Sequence, residues 1–251
     1  MRYLALLAMA CLPPLALPTA AQKSVSPSLP PQPDYLPAGP FYFERGAPRP
    51  TDMDAFRNRP TVKSPSGRAQ ITVTGPAESL KAWVTLEFLG RYARGLEYQV
   101  WPIERDVDVL WRPDSRAFAL TDNRYANMSY VLVCGTNFRL GERGLGLGIP
   151  ITDLTPVVRK TFGAPAKRYY GSDPYDVDMF YLKALRWVGN DHLLVGLDAR
   201  TLPANAHGSG RRTPRIREWY LGYLIDVPSK RVVGDLSEAQ LLSRYGIRVA
   251  K

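Results

Sequence analysis

The stretch "VLWRPDSRAFALTDN" (109–123) carries a tryptophan, then a Pro-Asp-Ser turn, then an apolar run. Pro113 presets φ for a reversal, and Asp114 and Ser115 support it by hydrogen-bonding to nearby backbone, so the chain folds back here. The runs on either side are β-formers that can pair across the turn. The stretch is therefore a β-hairpin. Two others share its plan of approach strand, tight turn and outgoing apolar strand: "VKSPSGRAQITV" (62–73) and "RWVGNDHLLVG" (186–196).

Short β-forming runs surround these hairpins at close intervals. "RAQITVTG" (68–75), "AWVTLEFLG" (82–90), "LEYQVWPI" (96–103), "VDVLWR" (107–112), "RAFALTD" (116–122) and "MSYVLVCG" (128–135) come first. "FYLKALRWV" (180–188), "HLLVGLD" (192–198), "EWYLGYLIDV" (218–227) and "KRVVGDL" (230–236) follow, with "PSK" as a short hairpin connection between the last two. Such a series indicates antiparallel β structure. Two peripheral helices are expected beside it. "TPVVRKTFG" (155–163) has Thr155 as N-cap, Pro156 at the first helical position and Gly163 past the end. "LSEAQLLSRYG" (236–246) has Ser237 and Gln240 spaced as a capping box and stops before Gly246.

The phrase Trp111-Arg112-Pro113-Asp114-Ser115 resembles the blade signature of TolB-type, WD-repeat-like β-propellers, in which Trp precedes Ser-Pro-Asp-Gly and an alternating strand. Trp187-Val188-Gly189-Asn190-Asp191 is a second copy, and Ser64-Pro65-Ser66-Gly67 a third without the Trp. "YLIDVPSKRVV" (223–233) is similar to the closing hairpin of such blades. The resemblance covers about residues 60–235. It implies blade-like antiparallel sheets, in a small or open propeller-like arrangement, with Trp111 and Trp187 in equivalent core-facing positions. Pro65 and Pro113 are 48 positions apart, near the ~40–45 residues of a blade, but Pro113 and Gly189 are 76 apart. The spacing thus departs from a regular ring.

The chain opens with "MRYLALLAMACLPPLALPTAA", in which Arg2 is the only charge and small residues precede Gln22. This reads as a secretory signal peptide over residues 1–21, its apolar run being far shorter than the ~20 residues a bilayer requires. A lipid anchor at Cys11 is a minor alternative. Removal of 21 of the 251 residues leaves 230, lowers the formal charge from +10 to +9 and leaves Cys134 as the one cysteine. No intramolecular disulfide can then form, so the fold rests on a hydrophobic core. Alternation in "SYVLVCG" sets Tyr130, Leu132 and Cys134 on one strand face and Val131 and Val133 on the other, and Cys134 reads as a small buried hydrophobe. Residues 22–60 are crowded with proline and read as an extended leader; residues 61–251 form the propeller-like domain. No later stretch is apolar enough to span a membrane.

Catalytic signals are sparse. His192 and His207 are the two histidines, and H-E-x-x-H, C-x-x-C and G-x-S-x-G do not occur. "GERGLGLG" (141–148) reads as a loop rather than a phosphate cradle, and no cofactor or metal is expected. Glu104, Asp106 and Asp108 alternate along one strand face, and Asp173, Asp176 and Asp178 read as a solvated loop lacking the D-x-D-x-D-G spacing of a calcium site. Tyr169, Tyr170, Tyr175, Phe180 and Tyr181 read as core packing, with stacking on sugars or a peptide as the functional alternative. The distinctive polar feature is "HGSGRRTPRIR" (207–217), where Arg211, Arg212, Arg215 and Arg217 follow a flexible Gly-Ser-Gly. Guanidinium forks bind phosphate and carboxylate, so this loop is the candidate anion-binding site.

The basic charge favours an acidic partner, a protein or an envelope surface. Nucleic acid is set aside, because an exported protein seldom meets it. The sequence thus points to an exported, periplasmic or secreted, mainly β binding module rather than an enzyme. The competing class is a secreted carboxylate-dependent hydrolase acting on envelope or glycan substrates. Exported protein is expected to begin at or near Gln22. Intact-mass analysis of the exported chain checks this, and retention of Met1 refutes it.

Overall fold

The computed structural model describes residues 61–74, 82–89, 97–103, 107–136, 149–173, 175–204 and 216–248. Among the described residues, twelve strands form three successive antiparallel meanders, the second and third joined into one eight-stranded sheet where β7 meets β9. The first is β1 (Thr61–Lys63), β2 (Ala69–Thr74), β3 (Ala82–Phe88) and β4 (Glu97–Ile103); the second is β5 (Val107–Trp111), β6 (Ala117–Tyr125), β7 (Met128–Gly135) and β8 (Ile151–Asp153). Helix α1 (Thr155–Tyr170) leads to the third meander: β9 (Tyr175–Val188), β10 (His192–Pro203), β11 (Arg217–Asp226) and β12 (Arg231–Ser237). Helix α2 (Glu238–Tyr245) follows. The protein is mainly β, built of blade-like sheets as expected.

The quoted stretch is the β5–β6 hairpin, and its construction repeats in β1–β2. Ser115 N–H donates to Arg112 O at 2.9 Å, and Gly67 N–H donates to Ser64 O at 2.9 Å. Ser115 (φ 63°) and Gly67 (φ 67°) both then enter the left-handed region. Each is a four-residue turn closed by one such residue, which lets the strands leave with matching twist. In the third hairpin the left-handed residue is Gly189 (φ 65°), ahead of a shorter reversal that pairs Val188 with His192.

Packing follows from the two faces of the second sheet. Phe118, Leu120, Leu132, Cys134, Val109 and Trp111 meet Ala69, Ile71, Val84, Leu86 and Val100 of the first sheet. The opposite face, with Ala117, Ala119, Val131 and Val133, meets α1 and the third sheet. The second sheet is thus a middle layer buried on both sides. That explains why "AFALT" is buried at every position instead of alternating with solvent.

A single hydrogen bond recurs between successive sheets. Trp111 Nε1–H donates to Val62 O on β1, and Trp187 Nε1–H donates to Leu110 O on β5, both at 3.1 Å. Val62 and Leu110 hold equivalent places in their hairpins, so the tryptophan of one sheet reaches the same carbonyl of the sheet before it. Both indoles are 3% exposed. The turns are linked as well: Ser66 N–H donates to Ser115 Oγ at 2.9 Å, and Arg112 Nη1 to Asn190 O at 3.1 Å.

Strand β9 crosses the middle sheet, with side chains standing in for a regular ladder. Met128 and Phe180 pair in parallel, joining the second and third meanders. Beyond that pair, buried Ser129 Oγ both accepts from Leu182 N–H and donates to Leu182 O, at 2.6 and 2.8 Å. Ala184 N–H then donates to Thr121 Oγ1 on β6 at 3.1 Å, and Trp187 reaches β5.

Several bounds differ from the sequence expectation. Helix α1 does not stop at Gly163 but runs through it and Pro165 to Tyr170. Its N-cap is Leu154; the Thr155 hydroxyl instead accepts from Val131 N–H at 3.1 Å, while Asp153 Oδ1 accepts from Thr155 N–H at 2.8 Å. Interior Gly and Pro cost a helix about 1 and 3 kcal/mol, and burial of Val158, Phe162, Ala166 and Tyr170 along one face offsets this. The segment 175–178, expected in a loop, is the start of β9, because β10 continues far enough to pair with it, Tyr175 opposite Pro203. Strand β8 was not anticipated. Helix α2 matches expectation: Ser237 and Gln240 form the capping box, and Gly246 (φ 69°) ends it.

The two outer faces of the stack end differently. On the first sheet, Thr61 and Thr72 hydrogen-bond across β1–β2 at 3.2 Å, and Gln70 donates to Glu87 across β2–β3, so this face is polar. On the third, α2 buries Leu241 against Leu194 and Leu236. A Cβ at Gly222 would lie 2.5 Å from Leu241 Cδ2, so glycine there permits the close seat.

Trp111→Ala is expected to cost roughly 3–5 kcal/mol, the range for a buried large aromatic. Trp111→Phe, which keeps most of the apolar bulk and loses the bond to Val62 O, should cost about 1–3 kcal/mol. Denaturant midpoints at unchanged slope check both, and midpoints equal to the parent's refute the inter-sheet role.

Candidate functional site

Arg217 opens β11 opposite Thr201 of β10, beside the last turn of α1. Thr201 is fully buried and ties these elements together. Its Oγ1 accepts from Trp219 Nε1–H at 2.9 Å and lies 3.0 Å from the Tyr170 hydroxyl, which donates to Thr201 O at 3.0 Å. With Trp219 pinned, Tyr169 packs edge-on against it at 5.7 Å and against Tyr170 at 4.9 Å. The Arg217 guanidinium carbon lies 4.5 Å from the Tyr169 ring centroid and 4.3 Å from that of Trp219. Two aromatic rings thus hold an exposed guanidinium by cation–π attraction, and its N–H donors remain available at its edge. Among the described residues it forms no ion pair.

Arg217 is the member of the predicted arginine set that the structure describes. Arg211, Arg212 and Arg215 lie outside the described residues, as do His207, Glu104, Asp106 and the glycine-rich run 141–148. Nothing in the sequence announced the Tyr169–Trp219 seat, because its parts come from three separate elements.

The other candidates are placed as follows. Tyr170, Phe180 and Tyr181 are core residues, and Tyr169 and Tyr175 are partly buried against the core, with Tyr175 stacked on Tyr170 at 5.0 Å. Asp178 pairs with Arg200 across β9–β10, a bond of 2.7 Å from Nε. His192 is partly exposed, its Nε2 3.6 Å from Asp226 Oδ2. Hydrogen bonds from Ser229 hold the Asp226 carboxyl below the usual carboxylate range. Among the described residues, no three His, Cys, Asp or Glu side chains are grouped to hold a metal ion, and no helix is long and apolar enough to cross a membrane.

Sequence reasoning missed one buried polar cluster. The Asp122 side chain is 0% exposed, accepts from Trp101 Nε1–H at 2.7 Å and lies 3.2 Å from Arg124 Nε. Arg124 also covers the Trp101 ring at 5.3 Å and donates to Pro102 O at 3.2 Å. The signal was faint: Asp122 continues the face of Phe118 and Leu120, where a carboxylate needs an ion-pair partner. This cluster ties the first sheet to the second.

Cys134 packs with Leu132 on the face that meets the first sheet, as alternation predicted. Burial pushes its thiol up to about 12, so thiolate, the reactive form, is scarce at neutral pH. A thiol reagent at pH 8 should therefore leave Cys134 unmodified in the native protein and react with it once denaturant unfolds the chain, as read by peptide mass mapping; rapid native labelling of Cys134 refutes the burial. Comparison of the chain with known protein families, with curated proteins and with solved structures finds no match.

Proposed function

We propose that the chain is an exported binding module of the cell envelope that engages an acidic partner through its arginine-bearing side. The observation that carries this reading is the aromatic seat of Arg217. A free arginine side chain sacrifices rotamer entropy when it grips a ligand; one already stacked on Tyr169 and Trp219 sacrifices less and presents its fork in a set orientation. Arg211, Arg212 and Arg215 precede it within six residues and add charge for the approach of an anion. The described residues form blade-like sheets, in keeping with a propeller-type scaffold. The proline-rich leader would act as a tether.

Full-length mature protein should bind anionic vesicles or an acidic polymer at low salt. Binding should weaken as salt shortens the Debye length from ~10 Å at 0.1 M to ~3 Å at 1 M. Changing Arg211, Arg212, Arg215 and Arg217 together to Ser should remove most of it while thermal unfolding stays close to the parent's. Equal co-sedimentation of the two proteins rejects the loop as the site. Arg217→Lys keeps the charge but not the planar fork, so it should weaken binding measurably.

A further inference from the structure

Helix α1 turns Lys160, Lys167 and Arg168 away from the core, keeps Arg159 exposed at the edge of its buried face, and carries no acidic residue in its 16 positions. The other exposed residues of the helix are Pro156 and Ala164, both small. Arg159 is held from below, its guanidinium 5.2 Å from the Phe180 ring centroid and 3.4 Å from Met128 Sδ. At the far end of the helix stands Arg217 on Tyr169. The nearby carboxylates in sequence, Asp153 and Asp173, flank the helix ends; Asp153 is turned to Thr155 N–H.

At about 100° per residue, Lys160 and Lys167 lie nearly in line along the outward side, Arg168 roughly 90° to one flank of them and Arg159 roughly 90° to the other, beside the buried Ala166 and Tyr170, and the helix is about 24 Å long. Lys160, Lys167 and Arg168 therefore form a band on the outward face rather than a single file. Long stems allow such side chains to reach a common plane. A field of this shape complements a two-dimensional array of phosphates better than one extended acidic chain. Without large apolar side chains on the outward face, attachment would be electrostatic and superficial.

We propose that the outward face of α1 is a docking surface for anionic phospholipid headgroups, with the helix axis parallel to the bilayer. This rests on the binding-module reading and names its partner. The test uses the full chain and vesicles of equal parts phosphatidylglycerol and phosphatidylcholine, with soluble polyglutamate as second probe. Lys160→Ser, Lys167→Ser and Arg168→Ser together should lower the vesicle partition coefficient about a hundredfold, some fivefold per cation. Polyglutamate binding through the arginine loop should stay near the parent's. Vesicle binding equal to the parent's overturns the proposal, and so does an equal fall toward both probes, which makes an acidic chain the occupant. The arginine-loop variant separates the two readings. If it binds vesicles and polymer normally while the helix variant loses vesicles, the loop reading fails and the helix surface stands.

Discussion

Ala117 and Ala119 on one face of β6, and Phe118 and Leu120 on the other, can leave water together only if a layer packs on each side. That constraint on the middle sheet governs the rest. It requires the first sheet on one face and the third sheet with α1 on the other. It also requires polar groups at the junctions to be satisfied without water. The tryptophans meet this need in one way: a large apolar ring fills the space between sheets while its N–H pairs with a carbonyl of the sheet before. Ser129 and Thr121 meet it in another, by bonding the β9 backbone where no regular ladder is possible.

A stack of sheets must also end, and an apolar face left open would invite further association. The first sheet ends by presenting paired threonines and a Gln–Glu bond. The third ends under α2, whose amphipathic face supplies Leu241 and whose approach depends on the missing side chain of Gly222.

The basic side uses the same scaffold. The strands carrying Thr201 and Trp219 pair from His192 opposite Asp226 to Thr201 opposite Arg217, and the buried Tyr170–Thr201–Trp219 bonds fix the rings that orient Arg217. Helix α1 serves two purposes because its faces differ. Val158, Phe162 and Ala166 fill the core, and the cations between them stay outside. Stability and charge presentation therefore share one element.

Short-range signals were legible in the amino-acid sequence alone. Pro, Asp and Ser in the turn, the tryptophans before it, the Ser237–Gln240 box and the stop at Gly246 act within a few residues, so their geometry needs no distant partner. The alternation placing Cys134 opposite Val133 is local in the same sense. Tertiary structure decided the rest, because burial depends on what arrives from far along the chain. Gly163 alone reads as a helix end, yet packing against β9 and β11 carries the helix through it and Pro165 to Tyr170. Asp176 and Asp178 read as part of a solvated loop, but β10 is long enough to pair with their segment and make it strand. Asp122 has no partner within its own stretch of sequence, and only the fold brings Trp101 and Arg124 over it. Arg217 was one charge among four in the sequence, and only the meeting of α1, β10 and β11 sets it on two aromatic rings.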